Sequence, residues 1–256
     1  MNTPHVLSSF TPPSPPRTAQ PNRPHSEGPA RNRVLRELAD CDRTRLLAML
    51  QPVALVAGDV LSDSGTRITH FYFPITAVVS SLHTAENGAT VEMGLVGHDG
   101  VVGVSLFLGA DTTPHRAEAV VSGEAYRMPA SLLREEFARG GSLQRALLRY
   151  TQALITQISQ MAICNRLHDV EQRLCRWLLM CHDRVTANEL LMTQELMSHM
   201  LGGRRESVTV AAGRLQERGL IRYARGHISI LNRGGLEASV CECYPIVAAG
   251  CRTGAH

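Results

Sequence analysis

The chain has 256 residues and 26 cationic side chains, all of them Arg. Against 23 acidic residues the net charge is only +3, which excludes a uniformly polycationic chain. No run reaches the ~18 unbroken apolar residues of a membrane span, and the Pro-rich start lacks the apolar core of a secretory signal. Seven Cys, at 41, 164, 175, 181, 241, 243 and 251, make an odd set without framework spacing. A reducing, cytoplasmic setting is therefore expected.

Residues 1–30 hold eight of the thirteen Pro. Such a segment buries too little apolar surface to offset its ordering entropy, so a disordered tail is expected there. Val34, Leu35, Leu38, Leu46, Leu47 and Leu50 then suggest one or two short helices. Residues 52–130 change character. Short β-rich runs recur at Val53–Val56, Val60–Leu61, Ile68–Phe73, Val78–Leu82, Val91–Val96, Val101–Leu108, Glu118–Val121 and Ala125–Met128. Gly-containing turns separate them, and Asn87-Gly88 is a strong hairpin signal. Many short strands with such turns predict a β-barrel or jelly roll.

From Ser131 the period becomes helical. A short helix over Ser131–Phe137 ends at Arg139-Gly140-Gly141, and a long one starts at Ser142. In it Leu147, Leu154, Met161 and His168 fall seven apart, with Thr151, Ile158 and Asn165 interleaved. This a/d stripe predicts a dimer seam, with Asn165 as a register-fixing polar residue. Leu148, Ile155 and Ala162 form a second face, expected against the β domain. A single amphipathic helix inside one domain is the alternative. Val170–His182 reads as a further helix with Trp177 in the core.

Residues 190–231 carry the sharpest signal. Thr193 is placed to cap a helix over Gln194–Leu201. Gly202-Gly203 turns the chain into a second helix, Arg204–Arg218, which Gly219 closes. Two short strands, Leu220–Tyr223 and His227–Leu231, follow as a wing around Ala224-Arg225-Gly226. Helix, Gly turn, helix and wing is the arrangement of a duplex-DNA reader. Residues 204–233 contain seven Arg against Glu206 and Glu217, a local net of +5. The near-neutral total thus hides a basic patch, the footprint of a polyanion partner.

Leu201-Gly-Gly-Arg-Arg-Glu-Ser-Val-Thr, followed by Leu215-Gln-Glu-Arg-Gly-Leu-Ile and Arg225-Gly226, resembles the DNA-binding domain of the Crp–Fnr family of transcription regulators. The order of parts over about residues 31–244 is similar too. The resemblance implies an α+β fold: a jelly-roll β domain at 31–141, a dimerisation helix at 142–168 and a winged helix-turn-helix at 169–244. A flexible tail is expected at 245–256. It implies a homodimer on a palindromic operator, with RNA polymerase as a further partner and an unknown small-molecule effector at the β-roll. Arg205 and Glu206 match the family's base-reading pair, and Ser207 a backbone-approaching hydroxyl. Arg can pair with guanine and Glu can accept from cytosine, which agrees with that role. An exposed ion pair of little energetic worth is the alternative for these two. Arg204 is expected at phosphate. Val210 stands where a family member has a further base-reading Arg, and a thymine methyl is its alternative contact. The expected DNA-contacting set is Thr193, Arg204, Arg205, Glu206, Ser207, Thr209, Val210, Arg214 and Arg225.

The effector positions of the family fall at Gly103, Val104 and Arg116. Val104 offers no oxygen for a ribose hydroxyl, and Arg116 stands one position off the expected anion-binding Arg. A cyclic nucleotide is therefore not the expected ligand. Only Cys41 precedes residue 164, which speaks against the iron–sulfur site of the family's oxygen sensors. His70, His83, His98 and His115 suggest surface or core residues rather than haem ligands. Cys241 and Cys243 lack a second pair at zinc spacing and read as buried helix cysteines, so neither metal nor cofactor is expected. Two other functions stay open. One is a small-molecule sensor whose output is protein interaction, against which the basic window speaks. The other is a jelly-roll enzyme, against which the absence of His-x-His, His-Glu-x-x-His, Gly-x-Ser-x-Gly and phosphate-loop motifs speaks.

Overall fold

The computed structural model describes residues 28–185 and 189–252. The tail predicted over 1–30 thus falls outside the described residues except at 28–30, where Pro29–Arg31 form one turn of 3-10 helix. Asn32 follows, fully buried. Its side-chain oxygen accepts from the backbone of Val34 and Leu35 and starts α1, Arg33–Arg36. Its amide donates to the carbonyls of Pro74 and Gly100 at 2.9 and 2.8 Å, which fastens the chain to the β domain. α2 spans Asp40–Leu47.

Seven strands come next: β1 Gln51–Leu55, β2 Val60–Ser62, β3 His70–Pro74, β4 Val78–Thr84, β5 Thr90–Val96, β6 Arg116–Val121 and β7 Gly123–Pro129. They form two antiparallel sheets, ordered β1-β7-β3 and β2-β6-β4-β5. Their inner faces enclose Val53, Leu55, Phe71, Phe73, Ala119 and Met128. Phe71 meets Phe73 edge-on with centroids 5.1 Å apart, a preferred aromatic geometry. The β4–β5 hairpin turns at Asn87-Gly88 as predicted, with Gly88 at φ +81°. The run Val101–Leu108 is not a strand. Gly103 sits at φ +106°, which ends extended pairing after a single Val102–Tyr72 bridge, and Val104–Leu106 coil into a 3-10 turn. An apolar run carries no period of its own, so burial was legible there and geometry was not.

α3 covers Ala130–Ala138 and α4 covers Gly141–Leu167. Asp42 of α2 accepts the Ser142 N–H at 3.0 Å and so caps the long helix from outside. A Cβ on Gly141 would stand 2.9 Å from that carboxylate. At ~1.5 Å per residue α4 is about 40 Å long. Its two apolar faces are the reverse of the sequence expectation. Leu147 and Met161 are buried, and Leu154 packs on the β-roll core. Leu148, Ile155 and Ile163 are 48, 53 and 42% exposed. The Leu147, Leu154 and Met161 row of the predicted seam is thus turned inward, Thr151, Ile158, Asn165 and His168 are half-buried, and the second face of Leu148, Ile155 and Ala162 is exposed.

α5 runs Val170–His182, with Asp169 accepting the Gln172 N–H as its cap. Leu174, Trp177 and Leu178 pack with Val78, Leu82, Leu95 and Val120 from the β-roll. Trp177 is core, as expected, and its indole N–H donates to Glu92 at 3.0 Å. The Ser80 hydroxyl donates to the same carboxylate at 2.8 Å. Burial pushes the Glu92 carboxyl above its ordinary value, against the pull of these donors. Beside it Arg184 grips Asp99 through Nε and Nη2 at 3.0 and 2.6 Å. Its side chain lies over Gly97, where a Cβ would come within 2.8 Å. The last part of the chain is β8 Glu189–Leu191, α6 Gln194–Leu201, α7 Arg205–Glu217, β9 Ile221–Ala224, β10 His227–Ile230, α8 Arg233–Ser239 and α9 Cys243–Arg252. The wing has a third strand that sequence reading missed, in the order β8-β10-β9. The tail predicted over 245–256 is instead α9 as far as Arg252, because Tyr244 and Val247 are buried against the rest of the C-terminal core. Residues 253–256 lie outside the described residues. No helix among the described residues is long and apolar enough to cross a membrane.

Candidate nucleic-acid interface

Thr193 accepts the Leu196 N–H at 3.1 Å and starts α6, as its position predicted. Gly202 ends α6 in the left-handed region at φ +56°, a conformation glycine adopts without a Cβ penalty. The chain then enters α7 through Arg204, which makes no side-chain cap bond. The first backbone N–H groups of α7 are left for an outside acceptor, and such a terminus favours anions.

Val208, Ala211, Ala212 and Leu215 bury one face of α7. With 3.6 residues per turn, Glu206 and Val210 point most directly away from that core. Arg205 and Thr209 flank them on one side, Ser207 and Arg214 on the other. All six side chains are exposed, as is Arg204. Among the described residues Arg205 and Glu206 form no ion pair with each other or with any neighbour. The alternative of a self-satisfied surface pair is therefore not what the structure contains. Thr209 is less free, since its hydroxyl donates to the Arg205 carbonyl at 2.9 Å. Arg214 faces α5, with Glu171 at 3.9 Å, while Arg218 takes the closer bond to Glu171 at 2.7 Å.

The wing turns at Arg225 and Gly226, with φ of +52° and +80°. Positive φ at both central residues is the two-residue hairpin geometry that matches strand twist. Arg225 is exposed at the tip, and Gly226 lies close to Thr193. The Tyr223 N–H donates to the Gln216 side chain at 2.7 Å and ties the wing to α7. The structure thus brings Arg204, Arg205, Glu206, Ser207, Thr209 and Val210 onto one exposed end of α7. It sets Thr193 against Gly226, the neighbour of Arg225 at the wing tip, and places Arg214 at the α5 edge.

The effector trio does not stay together. Gly103 and Val104 line a cavity with Ile68, Val96, His115 and Leu154. Its volume is about 50 Å³, against the ~300 Å³ or more of an ordinary ligand pocket. Arg116 lies outside that lining and is held by Asp63 through Nε at 3.1 Å and Nη2 at 2.9 Å. That bidentate grip holds the Asp63 carboxyl below its usual range. Burial lowers the His115 pKa from 6.5, so the cavity offers no cation at neutral pH. The cysteines also differ from expectation. Cys164, Cys241 and Cys243 are buried, but they converge with His168 in one cluster. No local motif signals this, because Cys164 and Cys241 are 77 residues apart.

A β-roll joined by a long helix to a winged helix-turn-helix with an open basic recognition helix defines a DNA-binding regulator. Residues 52–139 match the cyclic nucleotide-binding domain, and residues 172–239 match the Crp-like helix-turn-helix domain. The chain belongs to the Crp–Fnr family of transcription regulators. It is a transcription regulator rather than an enzyme.

Solved structures share the fold at low identity. FixK2 from Bradyrhizobium japonicum superposes with a TM-score of 0.64 at 16% identity, covering 75% of this chain and 98% of that one. A CRP-family transcriptional regulator from Thermus thermophilus gives 0.59 at 17% identity, over 73% and 95% of the two chains. The c-di-GMP responsive global regulator CLP from Xanthomonas campestris gives 0.58 at 17% identity, over 75% and 99%. No curated protein matches the sequence.

Proposed function

We propose that two copies pair along the open face of α4 and read a palindromic operator with their two α7 helices. The observation that carries this reading is the pair of exposed rows: Leu148, Ile155 and Ala162 on α4, and Arg205, Glu206 and Val210 on α7. A seven-residue repeat of apolar side chains suits a two-fold helix pair. Such a pair sets recognition helices about one helical turn of DNA apart, ~34 Å. In this reading Arg205 pairs with guanine, Glu206 accepts from cytosine and Val210 meets a thymine methyl. Arg204, Ser207 and Arg225 hold the backbone. The bound dimer works in the cytoplasm and meets RNA polymerase there.

The β-roll modulates binding through its contacts to the winged domain. Trp177–Glu92 and Arg184–Asp99 fix the domain's angle. Asp99 lies two residues before the Val101–Ser105 segment that lines the cavity. A signal that enlarges the cavity shifts that segment, and it acts only through its unequal affinity for the two arrangements. The small cavity and the engaged Arg116 speak against a cyclic nucleotide as that signal.

Selection from a random duplex pool with purified protein tests the reading. The expected product is a palindrome with half-site centres about 10 base pairs apart. Enrichment of no sequence, or of single half-sites only, contradicts it.

A further inference from the structure

The end of α4 and the start of α9 gather four metal-ligating side chains. Cys164, His168, Cys241 and Cys243 each offer one ligand atom, and all four atoms lie within 4.8 Å of one another. Cys164 lies in the last turn of α4, and His168 ends that helix, its backbone N–H donating to the Cys164 carbonyl at 3.1 Å. Cys243 opens α9, and Cys241 lies two residues before it. Cys164 Sγ lies 3.5 Å from Cys241 Sγ, and Cys243 Sγ lies 3.7 Å from His168 Nδ1. A tetrahedral zinc ion with bonds of ~2.3 Å to sulfur and ~2.0 Å to nitrogen sets its sulfurs ~3.8 Å apart and sulfur from nitrogen ~3.6 Å. The observed separations are those of one ion's coordination shell. They are far longer than the ~2.05 Å of a disulfide. An iron–sulfur cluster interposes several atoms between its ligands and needs a wider spread.

The surroundings add a second, independent observation. His168 turns its other nitrogen, Nε2, to the Glu242 carboxylate at 3.2 Å. A carboxylate behind a ligating histidine fixes its tautomer and raises its basicity. On the other side Arg173 and Arg176 of α5 are 8 and 1% exposed and both interact electrostatically with Cys164. Each keeps a buried Nε without a hydrogen bond, and neither forms an ion pair among the described residues. Glu92 acts on Arg176 electrostatically but makes no ion pair with it, and two buried cations without a direct ion pair are costly unless further negative charge stands near. Three thiolates supply it. One divalent ion, three thiolates, two guanidiniums and the Glu242 carboxylate sum to neutrality.

We propose that Cys164, His168, Cys241 and Cys243 form a closed structural site for one zinc ion per chain, clamping α9 to the end of α4. Four protein ligands leave no open position, which marks the site as structural rather than catalytic. Each thiol that binds releases its proton to solvent, and no oxidant or reductant is needed. The clamp sits at the His168–Asp169 junction, where the long helix passes into the winged domain. Zinc thereby holds the angle of the DNA-reading head, whatever sequence that head reads.

The test uses the full chain purified without chelator. Plasma mass spectrometry should find about one zinc per chain, and cobalt(II) exchange should give the intense thiolate charge-transfer and visible bands of a tetrahedral site. Cys164→Ser and Cys243→Ser should lose both, and Cys41→Ser should keep both. Glu242→Gln, on an exposed side chain that leaves folding intact, should weaken zinc about 10- to 100-fold in chelator competition. A metal-free protein, an octahedral cobalt spectrum, or a Cys164–Cys241 disulfide in reduced preparations overturns the proposal. Unchanged affinity in Glu242→Gln overturns it as well, because the carboxylate behind His168 is part of the site.

Discussion

Replacing Leu148 and Ile155 together with Ser should separate the subunits without unfolding them. In the single chain these residues are 48 and 53% exposed. Fully burying a Leu or Ile side chain contributes about 1.5–3 kcal/mol, so burying the remaining half contributes about 1 kcal/mol. A two-fold interface uses each residue twice, giving about 4 kcal/mol across the four side chains. This corresponds to roughly a 1,000-fold rise in the dimer dissociation constant. Sedimentation equilibrium across a concentration series reads that shift directly, and thermal unfolding checks the fold. Neither side chain belongs to the core, so stability of the single chain should move by about 0.5 kcal/mol or less. Leu147→Ala is the contrast. Leu147 is fully buried against the β-roll, and its loss should cost about 2–5 kcal/mol of stability. An unchanged dimer constant in the double Ser variant would refute the assignment of faces. So would a stable Leu147→Ala protein that no longer dimerises, which would restore the seam first read from the heptads.

Arg205→Ala should cost about 1–3 kcal/mol of operator affinity and relax base preference at one position per half-site, as measured by selection from a random pool. Unaltered preference would remove Arg205 from the reading set. Arg204→Ala should weaken all duplexes alike and lower the salt slope by about one phosphate contact per subunit, seen in anisotropy titrations at several salt concentrations. A pH dependence follows from Glu92. Its folded pKa lies above the unfolded value of 4.5, so its stabilising share is complete below 4.5 and is lost as pH rises through the folded value. Glu92→Gln keeps an acceptor for Trp177 and has no charge to bury. Urea unfolding should therefore show the variant gaining on the natural chain as pH rises from 4.5 toward neutrality, and parallel curves across that range would contradict the assignment.

Local signals were legible in the sequence because they rest on local chemistry. Thr193 as a cap, Gly202 and Gly219 at helix ends and Arg225-Gly226 at the wing tip each answer a backbone need within a few residues. The exposed row on α7 followed from the apolar positions of its other face. What was not legible depends on long-range partners. Leu147 and Leu148 are adjacent, and both begin a seven-residue apolar repeat. Only packing against the β-roll shows which row is buried. Val101–Leu108 reads as apolar, yet Gly103 turns it out of a sheet. Arg116 stands one position off the family's anion-binding Arg, and Asp63, 53 residues away, takes its guanidinium. The Cys–His cluster forms only where the end of α4 meets the start of α9, so the sequence showed Cys241 and Cys243 without the distant Cys164 and His168 that join them.

The central claim is a two-fold reader with α7 in successive major grooves, and half-site spacing tests it most directly. Five base pairs inserted between the halves of the selected operator turn them to opposite faces of the duplex. Anisotropy titration should then show affinity falling toward the non-specific level, roughly 1,000-fold or more weaker. Equal affinity for the natural and the lengthened site would contradict the account.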